Sequence, residues 1–178
     1  NSMSTSTFDG GRPVYPDKPG IYDFELETPL KAVFSGAYVI GKVGLISVDY
    51  EWVDYSTAKL KNGSNGYNYY DENKTIEDTY RAVGNLHLGG ELRVNSVFSL
   101  RAGYENYPSA FKSGYMNSDA NSSTISGGFG FKQGSFFFDA TLKHYTSEEY
   151  RKLYAGDINM AKYSSQTNNV IFTLGYKF

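Results

Sequence analysis

The chain of 178 residues contains no cysteine, two histidines and one tryptophan. Without cysteine there is neither a disulfide framework nor a thiolate metal centre. His87 and His144 stand far apart with no further ligand at metal spacing, so they read as structural polar residues, and no metal site is expected. There is no basic run and the formal net charge is −2, which argues against a nucleic-acid partner. Also missing is any apolar stretch near the roughly 20 residues that a membrane-spanning helix requires. The mean hydropathy of −0.47, taken alone, describes a water-soluble chain. No charged-then-apolar leader opens the sequence, which predicts a mature, truncated or cytoplasmic chain. Residues 1–20 are expected to be an outward-facing loop or an expression remnant, and residues 21–178 a set of barrel strands.

What is present points away from a soluble chain. Aromatic residues make up 17% of the sequence, with 17 Tyr and 12 Phe, and there are 19 Gly. From Tyr22 to Ile40 the even positions include Tyr22, Phe24, Leu26, Leu30, Phe34, Tyr38 and Ile40, against Asp23, Glu25, Glu27, Lys31 and Ser35 at odd positions. Successive side chains of a strand point to opposite faces, so one face is apolar and the other polar. The run exceeds the five or six residues usual in globular strands. The same alternation recurs over residues 43–55, 79–94, 98–105, 124–132, 136–143 and 169–178, giving about seven strands with no competing helical period. A barrel that shows only alternate side chains to lipid need not be hydrophobic on average. The predicted fold is therefore all-β, an antiparallel transmembrane up-and-down β-barrel, with the strands here forming part of a larger one.

Connections alternate in length. Gly41-Lys42, Asn95-Ser96 and Gln133-Gly134 mark tight turns, the last flanked by Lys132 and Ser135 on the polar face as a two-residue loop requires. Face parity demands an odd loop length or a bulge at the first two. Long polar loops are expected at Asn62–Thr75, Pro108–Asn121 and Thr146–Ser164. Short turns on one side and long loops on the other is the asymmetry of outer-membrane barrels, whose long loops face outward. Aromatic residues gather near both strand ends: Tyr38, Phe98, Phe131, Phe136, Tyr176 and Phe178 toward the short turns, Tyr22, Tyr55, Tyr80 and Tyr107 toward the long loops. Two interfacial belts are expected from them, lipid-facing through Tyr22, Tyr38, Trp52, Tyr80, Phe98, Phe136, Tyr176 and Phe178.

On the polar face, Asp49, Glu51, His87, Glu91, Arg93, Arg101 and Glu105 are expected to line a wet interior. A three-residue loop at Asn95–Val97 would set Glu91 opposite Arg101 and His87 opposite Glu105, a ladder of charges neutralised across strands. Generic filling of the interior explains such a ladder better than selective passage does. Asp49 and Glu51 share a face but have no recognisable nucleophile beside them. Gly127-Gly128-Phe129-Gly130 fails the dinucleotide fingerprint, because Gln133 stands where a glycine is needed. Asn and Asp in the long loops read as solvated loop residues rather than calcium ligands. No enzyme, catalytic residue or cofactor is expected.

The stretches "ELETPLKAVFSGAYVIGKVGLISVDYEWVDYSTAKL" and "YRAVGNLHLGGELRVNSVFSLRAGYENYPSAF" also resemble the C-terminal half of the FadL/TodX-type outer-membrane transporters of hydrophobic compounds. Thr28-Pro29-Leu30, Ser47–Ser56 and Leu100–Pro108 carry the likeness, which covers roughly residues 20 to 178. The ending "FTLGYKF" resembles the signal that the barrel-assembly machinery reads. The resemblance implies passive uptake of hydrophobic molecules, such as long-chain fatty acids or aromatic hydrocarbons, across a Gram-negative outer membrane. Members of the family have roughly twice this strand count and an N-terminal hatch. A sheet with open edges cannot sit in lipid, so the missing N-terminal half or a second copy is expected to close the barrel. The rival readings are an adhesin or structural barrel that binds partners through loops such as Gly66–Tyr70, and a soluble β-sandwich or lipocalin-like barrel with the apolar face inside.

Overall fold

The computed structural model describes residues 7–9, 12–14, 24–63, 66–154 and 160–178. Its centre is one seven-stranded antiparallel sheet. Two short strands precede it, β1 (Thr7–Asp9) and β2 (Arg12–Val14), paired with each other. The sheet comprises β4 (Leu30–Ile40), β5 (Gly44–Asp54), β7 (Ala82–Arg93), β8 (Phe98–Tyr107), β9 (Ser122–Gln133), β10 (Phe136–Lys152) and β11 (Met160–Tyr176). Each strand pairs with its successor in this series, so the order is an up-and-down meander with β4 and β11 at its edges. The two edges do not pair with each other, and no closed barrel is formed among the described residues.

The three tight turns fix the register. Ile40 pairs with Gly44 around a three-residue loop in which Gly41 takes φ +52°. Val94 and Phe98 close a second three-residue loop, Asn95–Val97, with Val94 N–H donating to the Phe98 carbonyl at 3.0 Å. Both loop lengths are odd, as face parity requires. The third turn differs from expectation by a step at each side. Its two loop residues are Gly134 and Ser135, flanked by Gln133 and Phe136. Gly134 takes φ +59°, and a glycine with positive φ at the first loop position suits a type II′ hairpin turn. The face assignment is unchanged, because the shift is by two residues.

Three parts of the long-loop side depart from expectation. The run through Tyr22–Ile40 is broken at Thr28-Pro29 into β3 (Phe24–Glu27) and β4. Proline cannot donate to a ladder, and the interruption is matched on the other strand by a 3-10 turn at Tyr55–Thr57. Thr57 Oγ1 accepts from Leu30 N–H at 2.8 Å. Pairing then resumes between β3 and β6 (Lys59–Asn62). Secondly, the loop expected at Asn62–Thr75 gives way to the helix α1 (Tyr70–Thr79), which runs past the expected loop end to Thr79. Its one strongly aliphatic residue, Ile76, gives no apolar stripe to read. It is favoured instead by Asp71 and Glu72 in its first turn, against the positive end of the helix dipole. Asn73 docks it, accepting from Leu60 N–H at 2.7 Å and donating to the Leu60 carbonyl at 2.8 Å. Thirdly, β10 and β11 each run for 17 residues, pairing as far as Lys152 and Met160 through the span expected to be loop. Beyond Ser147 this hairpin overhangs the ladder with β9. The Pro108–Asn121 connection is irregular as expected, and ties the loops together. Arg81 donates to the Ser109 carbonyl at 3.0 Å, and Asn117 Oδ1 accepts from Tyr150 N–H at 2.6 Å.

Candidate functional site

The sheet has two chemically distinct faces, and burial is distributed between them in the reverse of a soluble core. Along paired rows such as Tyr38–Ile46, Val48–Leu88–Tyr104–Ile125 and Ala140–Phe172, one face is apolar from edge to edge. Phe34, Tyr38, Ile46, Leu92, Leu100, Ile125, Phe172 and Leu174 on it are each half or more exposed. The most deeply buried strand side chains, Val53, Val83, Asn85 and Thr124, all lie on the opposite, charged face.

On that charged face the ion pairs run across strands. Glu91 lies opposite Arg101, as the Asn95–Val97 loop requires, with Arg101 Nε 2.9 Å from Glu91 Oε2. Arg93 adds a contact of 3.4 Å to the same carboxylate. Arg101 also pairs with Asp139, which stands two strands away on β10. Further along, Lys143 of β10 donates to both oxygens of Glu105 on β8, at 3.2 and 3.3 Å. Both reaches pass over β9, whose residues on this face between Ser122 and Lys132 are Thr124, Ser126, Gly128 and Gly130. A Cβ on Gly130 would lie 2.7 Å from Asp139 Oδ1 and 3.2 Å from Arg101 Nη1. The glycine is therefore what leaves room for the bridge. Near the far edge, Lys31 pairs with Glu51, which also accepts from Asn85 Nδ2 at 2.9 Å.

Of the seven expected interior residues, Glu51, Glu91, Arg93, Arg101 and Glu105 are joined in these pairs. His87 stands opposite Glu105 in register but does not pair with it; its ring lies 5.3 Å from that of Tyr107, and its Nε2 is buried without a hydrogen-bond partner. Asp49 forms no ion pair among the described residues. Lys31, Asn85, Asp139 and Lys143 complete the network and were not in the expected ladder. The run of small residues from Thr124 to Gly130 is the sequence signal that could have found the β8–β10 bridges.

Aromatic residues on the apolar face cluster at the short-turn end. Phe98 and Phe131 rings are 5.2 Å apart, Phe131 and Phe136 6.4 Å, and Tyr176 and Phe178 5.5 Å. Tyr38 is 68% exposed nearby on β4. Toward the long loops, Trp52 is half-buried between Ala32 and Gly84, and Tyr80 packs on Phe111 at 4.9 Å. Tyr107 belongs to the charged face, beside His87, and so not to a belt on the apolar one. Tyr22 lies outside the described residues. In the α1 loop the Glu72 carboxylate accepts from the Tyr67 hydroxyl at 2.9 Å and holds that phenol above its ordinary pKa.

No protein-family model, curated protein or solved structure matches the chain. No helix among the described residues is long and apolar enough to cross a membrane, a criterion that does not bear on strands. Among the described residues no group of His, Asp and Glu is placed to hold a metal ion.

Proposed function

We propose that this sheet is part of the wall of a transmembrane β-barrel in a Gram-negative outer membrane, with its apolar face against lipid and its charged face lining a wet interior. The observation that supports this reading most is the reversed burial: large apolar side chains are exposed on one face, while the paired charges and deeply buried residues share the other. A soluble sandwich would cover the apolar face with a second layer, and none is present among the described residues. The apolar positions from Leu30 to Ile40 run roughly 34 Å along β4. At a tilt of about 40° that is a height of about 26 Å, close to the apolar band of outer-membrane barrels. The band ends on β10 and β11 at His144 and Asn168, whose side chains bond each other at 2.7 Å.

The edges of β4 and β11 need partners in lipid, because unpaired N–H and C=O groups are costly there. A further set of strands of the same protein, or a second copy, closes the barrel, and the barrel-assembly machinery inserts it through β11. The barrel serves as a passive channel for hydrophobic molecules, a cargo that rests on the FadL/TodX-type resemblance. The charged face described here offers no greasy track, so an apolar path would be formed mainly by the elements that close the barrel.

Gel mobility of the folded protein in detergent, unboiled against boiled, tests the barrel. A heat-dependent shift is expected; identical mobility, with strand-rich circular dichroism in plain buffer, contradicts the membrane reading. Solvent extraction of the purified barrel tests the cargo, with a retained lipophilic molecule expected. Loss of partner binding on trimming residues 62–79, with the barrel intact and no lipophilic ligand, would favour the adhesin reading instead.

A further inference from the structure

At the short-turn end of the charged face lies a cleft of about 850 Å³. Five cations line it, Lys42, Arg93, Arg101, Lys132 and Lys177, against two carboxylates, Glu91 and Asp139. Both carboxylates are already engaged by the two arginines. Lys42, Lys132 and Lys177 form no ion pair among the described residues. They come from three separate parts of the chain: the β4–β5 turn, the end of β9 and the residue after β11. Two of the three backbones are pinned to neighbouring turns. Lys132 N–H donates to the Val97 carbonyl at 2.8 Å and Lys177 N–H to the Ser135 carbonyl at 2.7 Å. Next to Lys42, the Val43 carbonyl accepts from Arg93 N–H at 2.6 Å. The Phe137 ring, seated over Gly175 where a Cβ would collide with it, walls the cleft with an apolar surface.

Three lysines without an ion pair around one concavity raise the positive potential there, and a cleft of one sign concentrates counter-ions of the other. Farther along the face the charges are paired or acidic: Lys31 with Glu51, Lys143 with Glu105, and Asp49 besides. The positive field is thus confined to the short-turn mouth. We propose that this cleft is a binding site for a phosphate-type oxyanion, held by Lys42, Lys132 and Lys177 as three separate ammonium donors. A tetrahedral oxyanion fits that set better than a halide, because it offers several acceptor oxygens at once. The site stands on the charged face and does not depend on what covers the apolar one.

The test is a titration of the folded, isotope-labelled chain in neutral detergent, where its strand content is checked by circular dichroism. Inorganic phosphate is the probe, followed by backbone amide shifts, with chloride at matched ionic strength as the control. Saturable shifts confined to residues around 42, 132 and 177 are expected, with chloride giving none. The combined variant Lys42→Gln, Lys132→Gln and Lys177→Gln should weaken phosphate by at least about tenfold, and each single variant by a smaller factor. The exposed helix substitution Lys74→Gln should change nothing. Equal shifts with chloride, or unweakened binding in the lysine variants, would overturn the site. A second arm replaces phosphate with vesicles containing phosphatidylglycerol. Shifts seen only there would assign the cations to a lipid headgroup and also overturn the free-oxyanion site. A failed membrane reading would leave the phosphate titration unaffected, so the two failures are separable.

Discussion

Substituting Gly130 by valine sets strand propensity against geometry. Valine is a good strand former, and replacing a strand glycine by it should, on propensity alone, stabilise by up to about 1 kcal/mol. At this position the first added carbon meets Asp139 Oδ1 at 2.7 Å, Ser99 Oγ at 2.8 Å and Arg101 Nη1 at 3.2 Å. All three are ends of side chains, so the backbone can stay in place while the Arg101–Asp139 bridge is pushed apart. That pair is partly exposed, with side chains 46% and 24% accessible, and its loss alone costs no more than about 1 kcal/mol. Crowding by the branched side chain adds roughly 1–3 kcal/mol. The bridge loss and the propensity gain roughly cancel, so the expected net effect is a destabilisation of about 1–3 kcal/mol. Urea unfolding in detergent, followed through the single tryptophan Trp52, measures it. The cost should shrink when Arg101→Met and Asp139→Asn are already present, because the bridge is then gone. A neutral or stabilising Gly130→Val, or a cost unchanged in that background, would refute the bridge over β9.

Other outcomes follow from single contacts. Asn73→Ala removes both hydrogen bonds that dock α1 on Leu60; amide exchange at Leu60 should speed up while the seven-stranded sheet keeps its protection. Gly134→Val forces a β-branched residue into φ +59° and should cost at least about 1 kcal/mol in the same urea assay, whereas Ser135→Ala should cost little. Leu88→Arg places a charge midway along β7 on the apolar face, where the side chain is 44% exposed. In lipid bilayers this should cost about 2–4 kcal/mol; a cost near zero would place that face in water.

The strand positions and their two faces were legible because alternation is local and the tight turns carry their own chemistry. Turn parity narrowed the Asn95-Ser96 hairpin to an odd loop or a bulge, and the three-residue choice at Asn95–Val97 sets Glu91 opposite Arg101, the register observed. The two-residue turn was displaced to Gly134-Ser135 because Lys132/Ser135 and Gln133/Phe136 flank equally consistent hairpins. Helix α1 was not legible: it is held by Asn73 and its first-turn acids, and neither leaves an apolar period. Nor was the full length of β10 and β11, since residues 148–152 and 160–169 carry polar side chains on both faces and show no clean apolar alternation. Pro29 was passed over because the apolar pattern resumes in phase on either side of it. The bridges from Arg101 to Asp139 and from Glu105 to Lys143 join strands that are not neighbours, and pairwise register cannot reveal them. Only the small side chains of β9 point to them.

The absence of cysteine makes the most direct test simple, because any introduced thiol is the only one in the chain. Single cysteines placed in turn from Leu86 to Leu92 on β7, spin-labelled in lipid vesicles, report contact with dissolved oxygen in lipid and with a nickel chelate in water. A period of two is expected, with labels at 86, 88, 90 and 92 favouring oxygen and those at 87, 89 and 91 favouring the chelate. Labels at the even positions that meet the nickel chelate as freely as the odd ones would contradict the assignment of the apolar face to lipid.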